Sequence, residues 1–110
     1  MILAIVDDLL FRSKLETVAT PLGAPLVVAA DASPALQPGA VVRRVLIDLN
    51  LSRGDSLAMV RRLRAAHPGI PVIGYCAHVE RELQQQALEA GCTIVLPRSA
   101  FMQQLPQLLS

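Results

Sequence analysis

The chain has 110 residues, room for one hydrophobic core and too few for two, so a single domain over residues 1–110 is expected. Hydrophobic residues make up 53% and aromatic residues 3%, no apolar run reaches membrane-span length, and Met1–Val6 lacks the basic lead of a signal peptide. The formal net charge of +1 gives no general attraction to nucleic acid or an anionic membrane.

In chain order, Ile2–Val6 is an apolar strand closed by Asp7 and Asp8. Leu15, Val18, Ala19 and Leu22 follow at helical spacing and stop at Gly23. A second strand, Leu26–Ala30, leads into Ser33–Val42, whose Pro34, Pro38 and Gly39 predict a short or irregular helix. The third strand, Val45–Leu49, carries Asp48 near its end. Leu57, Val60, Leu63 and Ala66 mark a helix with Asp55 and Ser56 as caps and His67-Pro68-Gly69 as its stop. Val72–Cys76 is the fourth strand, and Leu83, Ala87, Leu88 and Ala90 form the next helix, ended by Gly91. Thr93–Leu96 is the fifth strand, and Phe101, Leu105, Leu108 and Leu109 define a last helix that Pro106 should disturb.

These strands are continuously apolar, as expected where helices cover both faces of a parallel sheet. Alternation with short connections predicts an α/β, flavodoxin-like (βα)5 doubly wound domain, with a five-stranded parallel sheet in the order 2-1-3-4-5. The switch point of that order lies between strands one and three, where Asp7, Asp8 and Asp48 end their strands. Cys76 and Cys92 fall at opposite edges of the sheet, roughly 16 Å apart by strand rise, too far for a disulfide. Two reduced cysteines fit a cytoplasmic protein.

Three neighbouring carboxylates need a counter-charge, and a hard divalent cation such as Mg²⁺ supplies it. A carboxylate beside that ion is placed to attack a phosphoryl group. With Val6-Asp7-Asp8, Leu46-Ile47-Asp48-Leu49-Asn50-Leu51, Pro71-Val72-Ile73 through Cys76-Ala77, Ala90-Gly91 and Leu96-Pro97-Arg98-Ser99, the chain resembles the receiver domain of bacterial two-component response regulators over nearly its full length. The resemblance implies that Asp48 is the phosphoacceptor for a histidine kinase. It also implies that Asp7, Asp8 and Asp48, with the carbonyl of Asn50, form the Mg²⁺ site.

Three positions depart from the family pattern. Cys76 stands where receivers carry Thr or Ser, and a thiol is a weak donor. Arg98 replaces a near-invariant Lys, and the exchange is not conservative at such a site. Val95 replaces an aromatic that rotates on activation in many receivers. The metal half of the site therefore reads as intact and the relay half as altered. Arg98 is expected to hold Asp48 in a standing bidentate pair.

The functional expectation is a response-regulator receiver domain acting through protein–protein contact, with an impaired phosphoryl switch and Mg²⁺ as its one candidate cofactor. The expected partners are a histidine kinase or another signalling protein, and a second copy through the last helix face. The alternative is a fully phosphorylatable single-domain regulator. A Mg²⁺-dependent phosphotransferase ranks third, because Asn50 rather than an acid follows Asp48 at the next-but-one position, and the chain is not expected to be an enzyme. The arginines at 43, 44, 61, 62 and 64 read as a solvated face rather than a nucleic-acid patch. His78 reads as a loop residue near the site, and no membrane or nucleic-acid partner is expected.

Overall fold

The computed structural model describes residues 1–77 and 80–110. Five strands and five helices alternate: β1 (Ile2–Ile5), α1 (Leu9–Leu22), β2 (Leu26–Ala29), α2 (Ser33–Leu36), β3 (Arg44–Asp48), α3 (Ser56–Ala66), β4 (Val72–Cys76), α4 (Arg81–Ala90), β5 (Ile94–Pro97) and α5 (Arg98–Leu108). All neighbouring strands pair in parallel, in the order β2-β1-β3-β4-β5. This is the flavodoxin-like arrangement that the apolar runs predict. Among the described residues no helix is long and apolar enough to cross a membrane.

Strand alternation sorts the core into two layers. Ile2, Ala4, Leu46, Ile73 and Tyr75 pack against Phe11 and Leu15 of α1 and Phe101 and Leu105 of α5. Leu3, Ile5, Val45, Ile47, Val72 and Cys76 face the other way, onto Val60 and Leu63 of α3 and Ala87 of α4. Burying a side chain such as Leu15 or Leu63 completely stabilises the fold by about 1.5–3 kcal/mol.

The structure amends two details and bears out a third. Double coverage holds for β1, β3 and β4, but β2 and β5 are edge strands, with Val27 38% and Ile94 42% exposed. The short helix expected after β2 is the four-residue α2. Pro106 does not stop α5, which runs through it to Leu108. Pro106 lies in the last turn, so only one backbone bond is forfeited there. Arg44 Nη1 donates to the Leu108 carbonyl and Leu109 is buried, which together hold that helix end.

Candidate functional site

Parallel pairing of Ile5 with Ile47 sets the ends of β1 and β3 side by side, so Asp7 and Asp8 leave the sheet next to Asp48. Asp48 is the last residue of β3 and only 4% exposed. Its Oδ1 accepts the Asn50 N–H at 2.8 Å, and its carbonyl accepts the Ser56 hydroxyl at 2.9 Å, which fixes the chain on the way into α3. Burial pushes the Asp48 carboxyl above the usual carboxylate range, against the pull of the Asn50 N–H and the Arg98 charge. Asp7 and Asp8 add to the upward push.

The other two acids have local duties. Asp7 Oδ2 accepts from the Ser52 N–H (2.9 Å), the Ser52 hydroxyl (2.7 Å) and the Arg53 N–H (3.1 Å), clamping the loop after β3 to the end of β1. The Ser52 hydroxyl is the main reason that the Asp7 carboxyl lies below its ordinary pKa. Asp8 is the N-cap of α1, with Oδ1 accepting from the N–H groups of Leu10 (2.9 Å) and Phe11 (3.3 Å). Asn50 Oδ1 accepts the Ala77 N–H at 2.9 Å and ties together the loops that follow β3 and β4. A cleft of about 440 Å³ opens on the outer side of Asp7 and Asp8, between Leu9, Arg12 and Arg53.

Adjacent strand ends are not the same as an assembled ion site. Among the described residues no three acidic, histidine or cysteine side chains lie close enough to share a metal. One oxygen of each of Asp7, Asp8 and Asp48 is already bonded to backbone N–H groups. As arranged, the three carboxylates do not gather round one ion position, though each keeps an oxygen that bonds no N–H among the described residues.

Arg98 corrects a second expectation. It makes no ion pair with Asp48, and the single salt bridge among the described residues is Arg12–Glu16, on the surface at 3.1 Å. Instead, the Arg98 guanidinium carbon sits 5.1 Å from the centre of the Phe11 ring. A planar, weakly hydrated guanidinium stacks on an aromatic face, and Phe11, in the first turn of α1, offers that face to the start of α5. Arg98 Nε is buried with no hydrogen-bond partner among the described residues.

Cys76 lies on the opposite side of the sheet, packed in the α3/α4 layer. Its Sγ is 4.0 Å from the Leu96 carbonyl, and burial raises the pKa of the thiol. Val95 packs against that same layer. Beside Asp48 stands a residue that sequence reasoning passed over. Tyr75 pairs with Asp48 in register, and register partners in a parallel sheet point to the same face. Its ring packs against both Phe101 (4.2 Å) and Phe11 (5.0 Å), which also approach each other at 6.1 Å, it is 0% exposed, and its hydroxyl has no partner among the described residues. The strand-end alternation carried that signal, because Asp48 closes β3 and Tyr75 precedes the last residue of β4.

Three other arginines are spent internally. Arg64 donates to the carbonyls of Gly91, Ile70 and Pro68, and Arg43 and Arg44 donate to carbonyls at the C-terminal end. His67 Nε2 lies 2.7 Å from the Ala35 carbonyl. His78 lies outside the described residues.

No protein-family model matches the chain. No curated protein sequence matches it either. Solved structures do. The receiver domain of NtrX from Brucella abortus superposes with a TM-score of 0.79 at 25% identity, covering 96% of this chain and 91% of that one. A CheY-like receiver domain protein from Methanospirillum hungatei JF-1 gives 0.82 at 18% identity, covering 96% and 86%. A Burkholderia pseudomallei response regulator, solved with a phosphorylated aspartic acid, a calcium ion and citrate, gives 0.82 at 18% identity. That match covers 99% of this chain but only 65% of the Burkholderia chain.

Proposed function

We propose that this chain, which has the fold of a response-regulator receiver domain, acts in two-component signalling through contacts with other proteins, and that phosphoryl loading of Asp48 is impaired in it. The observation that carries this reading is the commitment of the acids. Asp7 clamps the loop after β3, Asp8 caps α1, and the Arg98 charge is parked on Phe11. Loading a buried carboxylate means bringing a dianionic donor to a group whose own charge is already disfavoured, with Asp7 and Asp8 adding repulsion. In the Burkholderia relative the aspartate is phosphorylated and a calcium ion is present. We read Asp48 as the acceptor position of this chain.

The domain is read as a binding module rather than an enzyme, with a histidine kinase or another signalling protein as its partner. Exposed Leu88 on α4 and Ile94 on β5 support docking of a protein on that side. A reducing, cytoplasmic setting suits the buried, free Cys76 and Cys92. Incubation with acetyl phosphate and Mg²⁺ tests the loading defect on a phosphate-affinity gel. A fast shift to full occupancy that Asp48→Ala abolishes would sink the reading.

A further inference from the structure

We infer that the free edge of β2 is a self-pairing surface, to which a second copy of this chain adds its own β2 in an antiparallel register centred on Val28. The inference is independent of the reading of Asp48 and stands or falls without it.

The backbone sets the direction of the edge. Ile2 N–H donates to the Pro25 carbonyl and Val6 N–H to the Ala29 carbonyl, so the odd-numbered residues of β2 turn their polar groups toward β1. Along a strand that direction alternates from one residue to the next. Leu26, Val28 and Ala30 therefore turn theirs away from the sheet, on the side where β2 has no neighbour. The Leu26 N–H is met locally by the Ala24 carbonyl at 2.8 Å. The Leu26 carbonyl and both backbone groups of Val28 and Ala30 have no hydrogen-bond partner among the described residues.

That set is complementary to itself. When two such strands run antiparallel about a two-fold axis at Val28, Val28 exchanges both of its bonds with its own copy. Each Ala30 N–H then meets the Leu26 carbonyl of the other copy. The donor already spent, Leu26 N–H, faces only the Ala30 carbonyl, at the exposed end of the strand.

The side chains agree with this register. Natural edges are commonly protected by a charge, a proline or a bulge, and Leu26–Ala30 carries neither charge nor proline. No like charges therefore meet across the axis. Val27 is 38% exposed, whereas Ala29, on the same face of β2, packs into the α3 layer. The four-residue α2 leaves Val27 uncovered, and the pairing sets it opposite Ala29 of the second copy.

Sedimentation equilibrium of the full chain over a wide concentration range is the test. A contact of this length is small, so the dimer should be weak and should appear only as concentration rises. Val28→Pro deletes an outward N–H and leaves the ladder to β1 intact, which edge strands tolerate. It should raise the dissociation constant about tenfold or more. Val27→Lys, at an exposed position, brings two ammonium groups to diagonal cross-strand sites and should weaken the dimer as much, with part of the loss recovered in high salt. That variant decides the matter if the proline disturbs folding, which circular dichroism reports. Leu88→Lys, on α4, should leave the dissociation constant unchanged. A chain that is monomeric at every concentration, a dimer as tight in Val27→Lys as in the wild type, or one that Leu88→Lys breaks instead would overturn the inference.

Discussion

Replacing Asp48 by Asn should stabilise the domain at neutral pH. The carboxylate is 4% exposed and has neither a salt-bridge partner nor a shared metal among the described residues. Its charge is met by one N–H, from Asn50, and by the more distant field of Arg98. Asn keeps the acceptor oxygen for the Asn50 N–H and has nearly the same shape, so what is removed is mainly a poorly compensated buried charge. Desolvation penalties for such groups run to several kcal/mol, and the partial compensation here leaves about 1 kcal/mol as the expected gain. For a domain of this size that is roughly 4–8 °C in Tm.

The pH dependence fixes the sign. The folded-state pKa of Asp48 is raised by burial, so between the unfolded value of 3.8 and the folded value the native state binds more protons than the unfolded state. The wild type therefore loses stability as pH rises through that window. The advantage of Asp48→Asn should grow as pH rises above 3.8 and shrink as pH falls toward 3.8. Thermal unfolding followed by circular dichroism at several pH values measures both effects. An Asp48→Asn protein that is less stable at pH 7, or a difference that does not change with pH, would refute the argument.

Two further outcomes test the scaffold. Arg64→Ala removes the donors that join α3 to the Gly91 carbonyl at the end of α4 and to the Ile70 carbonyl before β4. It should cost about 2–3 kcal/mol in urea unfolding, since charged hydrogen bonds to part-buried carbonyls are among the stronger ones, and a loss below about 0.5 kcal/mol would contradict that role. Burial pushes the Cys92 thiol up to about 11. Labelling by a thiol reagent at pH 8 should therefore be slow in the native protein and fast in urea, and equal rates in both would show that Cys92 is not enclosed.

The fold could be read from the chain because its strands are short apolar runs and its turns are marked by Gly and Pro. The continuous stretch at Val45–Ile47 and the stop at His67-Pro68-Gly69 required no tertiary information. The edge strands were less legible, since Val27 and Ile94 look as apolar as residues of a central strand. Pro106 misled because its effect depends on its place in the helix, and the last turn tolerates a missing N–H. At the site, sequence spacing brought Asp7, Asp8 and Asp48 to neighbouring strand ends but said nothing of how their oxygens are used. Ser52, Arg53 and the first turn of α1 compete for those oxygens, and that competition exists only in three dimensions. The Arg98–Asp48 pair failed for a similar reason, because the Phe11 ring offers the guanidinium another partner. Tyr75 was hidden among core apolar residues until pairing with Asp48 gave it a face.

The most direct test of the central claim is the rate at which Asp48 is loaded. With acetyl phosphate and Mg²⁺ at neutral pH, a phosphate-affinity gel sampled over time should show little or no shifted band in the wild type, and no difference from Asp48→Ala. A band that fills quickly in the wild type and is missing in Asp48→Ala would contradict the account, because the acids that clamp a loop and cap a helix would then also serve efficient phosphoryl transfer.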